Sequence, residues 1–383
     1  MVFSSLVFLC IFFPLQMLVY SLARGIEARN TVLIFFSLVF YAWGEPFFIV
    51  LLVFMCFVDW ALSQGIYKYR GTGKSKAFLI LGCVIDLGLL AFFKYTAFIL
   101  GETHQWLGFP DVVPKIALPI GISFYTFQLL SYMVDVYRGE VPAQRYFRRL
   151  LLYVSLFHQC IAGPIVRYKD VSEQILSRRV ESEDLRNGIN RFASGLAKKV
   201  LLANVCGQIA SRTILSGALI DQAKNLATLQ SAPALSLWLG CFAYALQIYL
   251  DFSAYSDMAI GMGLMVGFHY KENFNYPYLA NSITDFWRRW HMSLSSFFRD
   301  YVYIPLGGNR KGKPRQALNL LIVWFLTGMW HGAGWNFILW GLYYFLFLAI
   351  EKFLLPGLQR LPAFFGHLYT LVVVFFGWVL FYF

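Results

Sequence analysis

Residues 316–350 read QALNLLIVWFLTGMWHGAGWNFILWGLYYFLFLAI and contain no Asp, Glu, Lys or Arg, although His331 stands in the middle of them. A helix rises about 1.5 Å per residue and a bilayer core is about 30 Å thick, so His331 is predicted to lie roughly halfway through the hydrocarbon. Ionisable side chains at that depth usually face a polar cavity or a proton relay. The competing interpretation is a histidine that only hydrogen-bonds to a neighbouring helix.

The composition of the whole chain places it among membrane proteins. Of its 383 residues, 59% are hydrophobic, 14% are charged and 39 are Phe, and the mean hydropathy is +0.59. A soluble protein of ordinary composition is far less apolar. We therefore predict an all-α, polytopic integral membrane protein that forms a single membrane-embedded domain over residues 1–383. The first stretch, residues 2–22, has neither a basic start nor a small-residue cleavage site, so it is predicted to be a retained first span.

The charged residues and cysteines exclude several other classes of protein. The net charge is +12, but the basic residues fall in loops between apolar runs, which indicates membrane anchoring and a lipid environment and not a nucleic-acid partner. The six cysteines occur singly and without C-x-x-C spacing, so neither a metal site nor a disulfide framework is predicted.

Apolar runs and basic loops together predict an orientation. The loop around residues 68–76 carries four basic residues and is placed inside the cell, which puts the N-terminus and the loop at residues 101–115 outside. The apolar runs are residues 2–22, 31–44, 46–62, 77–100, 116–137, 150–162, 200–216, 233–250, 252–268, 318–350 and 364–383.

Two parts of the chain do not fit simple crossings. The run at residues 150–162 is short and has basic residues on both sides, so a re-entrant segment is predicted; such a backbone must be enclosed by protein or line a wet cavity. The three runs between residues 200 and 268 would place the basic stretch after residue 288 outside, so at least one of them is predicted to be incomplete. Residues 273–315 alternate aromatic and arginine residues, and are predicted to form helices at the cytoplasmic interface.

His331 is the leading candidate for catalysis. Glycines at positions 328, 332 and 334 surround it and permit a close backbone approach or a local break in the helix. A neutral imidazole, which apolar surroundings favour, suits the abstraction of a proton from a hydroxyl group. His291 follows Trp290 at the predicted cytoplasmic edge, where an interfacial polar role and a catalytic role are about equally well supported.

Other polar residues in apolar surroundings carry weaker predictions. His158 is predicted to be a structural polar contact, and His104, His269 and His367 are assigned to loops or their edges. Asp251 and Asp257 could orient a histidine, but a hydrogen-bond network or a helix cap is the favoured role.

The motifs resemble those of the membrane-bound O-acyltransferases, in particular members that O-acetylate alginate and other exported polysaccharides. The resemblance spans nearly the whole chain and is carried by these segments: residues 1–5, PIGISFY at 119–125, DVYRG at 135–139, AGP at 162–164, DFS at 251–253, DMAIG at 257–261, FWRRWH at 286–291 and WHG at 330–332.

The resemblance implies that His331 is the catalytic histidine and that His291 is the family's second characteristic histidine. It also implies a ring of tilted helices around a central tunnel, which joins a cytoplasmic donor to an acceptor on the other side. The chain ends within an apolar run, so it is expected to be truncated at its C-terminus.

The hypothesis that follows is a membrane acyltransferase of the bacterial cytoplasmic membrane. It would move an acyl group, most simply acetyl, from a thioester such as acetyl-CoA or an acyl carrier protein to an exported polysaccharide, directly or through a periplasmic acetyltransferase partner. No bound cofactor or metal is expected. One alternative is D-alanyl transfer to teichoic acid from a carrier protein, and another, of a different class, is a proton-coupled transporter or flippase.

Overall fold

The structure, a computed structural model, describes residues 1–107, 116–214, 229–355 and 362–383. The described residues form helices and connecting segments without a β-strand, which confirms the all-α prediction. Six of the helices are long and apolar enough to cross a membrane: Ile26–Gly44, Phe48–Lys68, Gly73–His104, Ala234–Met265, Trp335–Leu354 and Ala363–Tyr382. Many large apolar side chains on them are exposed, as lipid-facing side chains are. The chain is a multi-pass integral membrane protein.

The chain folds into two compact units, and the prediction of a single domain stays a prediction. The first unit comprises residues 1–193 and 257–271, and the second comprises residues 194–256 and 272–383. Nine α-helices begin within residues 1–193 of the described chain: α1 Phe13–Leu22, α2 Ile26–Gly44, α3 Phe48–Lys68, α4 Gly73–Leu107, α5 Ile122–Arg138, α6 Phe147–Ser155, α7 Phe157–Cys160, α8 Tyr168–Leu176 and α9 Ser182–Ala197. The predicted external loop at residues 101–115 lies partly outside the described residues, and its first residues extend α4.

The first apolar run is shorter than the span predicted for it. Ser5 starts the helix by accepting a hydrogen bond from the Phe8 N–H, and the regular part, Phe8–Leu22, begins with a π-helical turn at Phe8–Phe12. Its 15 residues give a length of about 22 Å at 1.5 Å per residue, less than the bilayer core. The expected full first crossing is therefore not formed by this helix alone.

The short run at residues 150–162 is not one continuous helix. α6 ends at Ser155 and α7 begins at Phe157, because Leu156 between them leaves the helical conformation. The Phe157 N–H then donates a hydrogen bond to Ser37 Oγ at 3.2 Å, so a side chain satisfies the backbone at the break. Both short helices are buried in the first unit, and their entry into a membrane stays a prediction.

The remaining helices are α10 Asn204–Thr213, α11 Ala234–Met265, α12 Ile283–Arg289, α13 Met292–Phe298, α14 Gly312–His331, α15 Trp335–Ala349 and α16 Ala363–Tyr382. The sequence divided α11 into two runs at Asp251, and this division is wrong. A single Asp does not break an α-helix, and Lys199 Nζ, 2.8 Å from the Asp251 carboxylate, offsets its charge within the apolar run. Two of the three predicted crossings are thus one helix.

The stretch that places His331 is a pair of closely packed helices, α14 and α15. α14 ends at His331 and α15 starts at Trp335, so the local break expected from the glycines is confirmed. Gly328 and Gly341 face each other across the pair, where an added Cβ on Gly328 would collide with the Phe337 carbonyl oxygen. Small residues at this crossing let the two backbones touch.

The aromatic residues between 283 and 298 are not interfacial anchors, which corrects the sequence prediction. Phe286, Trp287 and Trp290 are buried in the second unit, where they pack against Trp324, Trp340, Tyr344 and Trp378. The predicted short helices are present as α12 and α13, and Arg288 is exposed. Trp287 shares α12 with the arginines and Trp290 directly follows that helix, and the sequence pattern did not show that these aromatic side chains point inward.

Candidate active site

His331 is half-buried and lies at the C-terminal end of α14, where the chain turns into the glycine break. Its ring has three aromatic neighbours at nearly perpendicular angles: Trp330 and Trp340 at 4.9 Å and Phe381 at 5.1 Å between ring centroids. Edge-to-face contacts of this kind hold a ring through its shape and partial charges. The predicted catalytic histidine thus sits in an aromatic cage.

His291 is buried in the second unit and precedes α13. Its backbone has a positive φ of 44°, which a non-glycine residue rarely adopts. The conformation is held from both sides: the Met292 N–H donates to the Asn273 carbonyl oxygen at 2.9 Å, and the Ser295 N–H donates to the His291 carbonyl oxygen at 3.1 Å. Strained backbone that the surroundings enforce in this way is common at functional sites.

A polar cradle surrounds one edge of the His291 ring. Nδ1 lies 3.1 Å from Asn273 Oδ1, and the same oxygen accepts hydrogen bonds from the Ser293 N–H at 3.2 Å and from Ser293 Oγ at 2.8 Å. The Asn273 amide nitrogen donates to Ser256 Oγ at 3.2 Å. Asn273 is fully buried, so this network is shielded from solvent.

Burial lowers the pKa of His291 well below its ordinary value, and a positive charge on His331 would lower it further. The second effect shows that the two imidazoles lie within electrostatic reach of each other. The Trp330 ring is a neighbour of both, at 5.8 Å from the His291 ring and 4.9 Å from the His331 ring. The structure therefore brings the two predicted site histidines together around one tryptophan.

A cavity of about 260 Å³ opens beside His291. Its walls are apolar and aromatic, with cationic side chains among them; the lining residues are Thr284, Trp287, Arg288, His291, Leu294, Ser295, Phe298, Arg299, Tyr303, Leu320, Val323, Trp324, Thr327, Leu348 and Lys352. His331 is not among the described residues that line this cavity. Cavities with apolar walls and a few polar groups are typical ligand sites.

Glu351 positions the wall that carries Trp287 and Arg288. Its buried carboxylate accepts hydrogen bonds from the Ile283 N–H at 2.6 Å, the Thr284 N–H at 2.9 Å and Thr284 Oγ1 at 2.6 Å. These are the first N–H groups of α12, which lack partners within the helix, and a negative charge at a helix N-terminus is favourable. Glu351 therefore fixes α12 against the end of α15.

The other predicted polar residues have structural partners. In the first unit, His158 is buried, with Nδ1 at 3.5 Å from the Tyr270 hydroxyl, which agrees with a structural contact. Asp257 accepts a hydrogen bond from Arg191 Nε at 2.7 Å. In the second unit Asp251 pairs with Lys199. Both acids take part in ion pairs, in line with the favoured network role.

Three further histidines are not part of the His291 cradle; His104 and His269 belong to the first unit and His367 to the second. His269 bonds to Asp184 at 3.1 Å, and His367 Nδ1 lies 3.1 Å from the Ala280 carbonyl oxygen. His104 lies in the last turn of α4 and His367 lies near the start of α16, in line with their assignment to loops or their edges.

The sequence did not indicate Asn273, Glu351 or the cationic cavity wall. Asn273 is 18 residues from His291 and Glu351 is 67 residues from Thr284. A buried acid in an apolar run could have marked Glu351. An asparagine within a polar connecting segment carries no comparable signal.

Comparison with known proteins gives a consistent set of relatives. Residues 146–383 match the model of the MBOAT, membrane-bound O-acyltransferase, family. The chain is 42% identical to the "Probable alginate O-acetylase AlgI" of Pseudomonas aeruginosa, over 100% of this chain and 72% of that protein. It is 34% identical to a peptidoglycan O-acetyltransferase of Helicobacter pylori, over 92% and 70% of the two chains. It is 30% identical to a teichoic acid D-alanyltransferase of Bacillus subtilis, over 61% and 59%.

Proposed function

Because the chain belongs to the membrane-bound O-acyltransferase family and is a membrane acyltransferase, we propose that it transfers acetyl groups from a cytoplasmic thioester to an exported polysaccharide. The observation that carries the proposal is the cavity lined by His291, together with the Trp330 ring that neighbours both His291 and His331. Membership in this enzyme family also counts against the transporter alternative.

The composition of the cavity supports a thioester donor. Arg288 and Lys352 supply positive charge that would attract the phosphates of acetyl-CoA or of an acyl carrier protein's prosthetic arm, while Arg299 is paired with Asp300. Trp287 and Leu294 supply the apolar surface that would receive the arm itself. An apolar passage would also keep water away from the thioester and limit hydrolysis.

We assign the proton transfers of the reaction to His331. Its neutral imidazole would take the proton of the accepting hydroxyl while that oxygen attacks the thioester carbonyl carbon. When the tetrahedral intermediate collapses, the carbon–sulfur bond breaks, and the leaving thiolate would receive the same proton from the imidazolium. His291 would position the acyl donor beside it.

The proposal includes a location and partners. The protein would lie in the bacterial cytoplasmic membrane, contact an acyl carrier protein or acetyl-CoA on the cytoplasmic side, and pass acetyl to the polysaccharide or to a periplasmic acetyltransferase. Relatives named for alginate O-acetylation match the whole chain, whereas the B. subtilis D-alanyltransferase matches 61% of it. This difference favours acetyl over D-alanyl.

The test is acetyl transfer by the purified protein in proteoliposomes, with radiolabelled acetyl thioester inside and acceptor, with the partner enzyme, outside. We expect His331→Ala to abolish transfer, while His367→Ala, which replaces a histidine that is not part of the cradle, retains it. Normal transfer by His331→Ala would disprove the assigned role. Labelling from D-alanyl carrier protein but not from acetyl donors would replace acetyl by D-alanyl.

A further inference from the structure

We propose that Asn273 is a positioning residue, which fixes His291 in the tautomer with its proton on Nδ1 and leaves the Nε2 lone pair for the substrate. The tautomer follows from the hydrogen bonds alone. Its use in acyl transfer rests on the proposed function.

The first step is the orientation of the Asn273 side-chain amide. The Ser293 backbone N–H can only donate, and it lies 3.2 Å from the amide atom that faces His291. That atom must therefore be the oxygen. The opposite end of the amide supports this orientation, because the nitrogen is 3.2 Å from Ser256 Oγ, which can accept.

The second step is the proton on His291. Asn273 Oδ1 can only accept, so the Nδ1 atom 3.1 Å away must carry a hydrogen in order to bond to it. In a neutral imidazole, Nε2 then carries the lone pair. Nε2 is buried and has no hydrogen-bond partner among the described residues. Because burial disfavours the imidazolium, the ring presents a hydrogen-bond acceptor at this edge.

The cradle is rigid as well as polar. Asn273 holds His291 through its side chain and, through its own carbonyl oxygen, holds the Met292 N–H at 2.9 Å. One residue thus fixes both the ring and the left-handed backbone that aims it. The face of the ring packs at right angles against Phe252, with 4.7 Å between centroids.

A neutral Nε2 limits the substrate groups that can bond to His291 to hydrogen-bond donors. A thioester carbonyl oxygen only accepts hydrogen bonds, so a neutral Nε2 cannot polarise it. The group that meets Nε2 must instead donate, as an amide N–H in the arm of the thioester donor or a hydroxyl does. His291 therefore positions the donor molecule through an N–H or O–H group and does not activate its carbonyl.

The direct experiment is nitrogen NMR of the full chain in detergent, with ¹⁵N-labelled histidine and with His291→Gln used to assign the His291 signals. We expect a protonated Nδ1 and an unprotonated Nε2 at pH 7.5 in the wild type. Asn273→Ala should give a mixture of tautomers, and Asn273→Asp, which keeps an acceptor, should restore the wild-type tautomer. Ser256→Ala is the matched control, because it changes only the far end of the amide. Retention of the pure Nδ1–H form by Asn273→Ala would overturn the proposal.

The pH profile of transfer gives a second readout. Among the described residues, the charged or titratable groups around His291 are His331 and, along the cavity, Arg288, Arg299 with its partner Asp300, Tyr303 and Lys352. A carboxylate at position 273 would favour the imidazolium, so Asn273→Asp should move the acidic limb of the profile upward by about 1 pH unit or more. If Asn273 had only a packing role, Asn273→Asp would lower turnover without shifting the acidic limb of the pH profile. The NMR result needs no turnover, so it stands even if acetyl is not the substrate.

Discussion

His291 and His331 are close together, yet the second unit holds them in opposite ways. Nδ1 of the buried His291 ring lies within hydrogen-bond distance of Asn273 Oδ1 and Ser293 Oγ, whereas three aromatic rings lie against the half-buried His331 ring. The hydrogen bond to Asn273 selects one tautomer of the His291 imidazole, while the aromatic rings restrict the position of the His331 imidazole. A fixed tautomer suits a group that binds the donor, which is the role proposed for His291, and His331 is the group to which the proton transfers are assigned.

The largest effect expected from this contrast is on turnover. General acid–base catalysis contributes roughly 10²–10⁴-fold, so His331→Gln should lose activity by that factor, with little change in donor affinity. His291→Gln should lower turnover by about tenfold to 10²-fold and should weaken donor binding, because a donor held out of position by about 1 Å can react about 10²-fold more slowly. Donor KM and kcat for both variants provide the measurement. Equal losses with the same KM would remove the distinction between the two histidines.

The next effect concerns the wall of the cavity. Glu351→Ala removes the acceptor of two backbone N–H groups and a hydroxyl, and each unsatisfied buried donor costs about 1–3 kcal/mol. We expect the free energy of unfolding to fall by roughly 3 kcal/mol, and donor binding at the cavity to weaken as α12 moves. Glu351→Gln, which keeps an acceptor oxygen, should lose about half as much.

Thermal unfolding in detergent and a donor-binding assay test the role of Glu351. An alanine variant as stable as the wild type would mean that α12 does not depend on this cap. Asp251→Ala is a control that removes a carboxylate of the same unit, because Asp251 pairs with Lys199 and not with the α12 N-terminus.

Stability should also depend on the His291 pKa. This pKa lies well below its ordinary value of 6.5 in the folded protein, so the unfolded chain binds the extra proton first as the pH falls. The contribution of His291 to stability is therefore fully present above about pH 6.5 and is lost below it, by up to about 1.4 kcal/mol per pH unit. Unfolding measured between pH 7.5 and 5 should show a smaller loss for His291→Gln than for the wild type. Parallel curves for the two proteins would contradict the neutral, buried imidazole.

The smallest effect is expected at Asp251. Its ion pair with Lys199 is partly exposed, with 37% and 22% of the two side chains accessible, so solvent screening limits its contribution to about 1 kcal/mol or less. Asp251→Asn should leave the pH profile of transfer unchanged, because the carboxylate faces a lysine. A shifted profile would restore the histidine-orienting role considered for this residue.

Much of the fold could be predicted because apolar length and the position of glycine act locally. The run around His331 had to be helical, and Gly332 and Gly334 had to weaken it, so the break between α14 and α15 was predictable. The division of α11 was not predicted correctly, because a single Asp does not break a helix and its charge is offset by Lys199, 52 residues away. Local patterns do not show a distant partner.

The sequence by itself determined the membrane class, the helical architecture and the candidacy of His331 and His291, because these depend on composition, on apolar length and on how rarely an ionisable group is buried. The tertiary structure alone decided that Trp287 and Trp290 pack inward, that Glu351 caps α12 and that Asn273 holds one edge of His291. The physical reason is range: hydrophobicity is a property of a segment, whereas a hydrogen bond is directional and joins atoms that the chain brings together only when it folds.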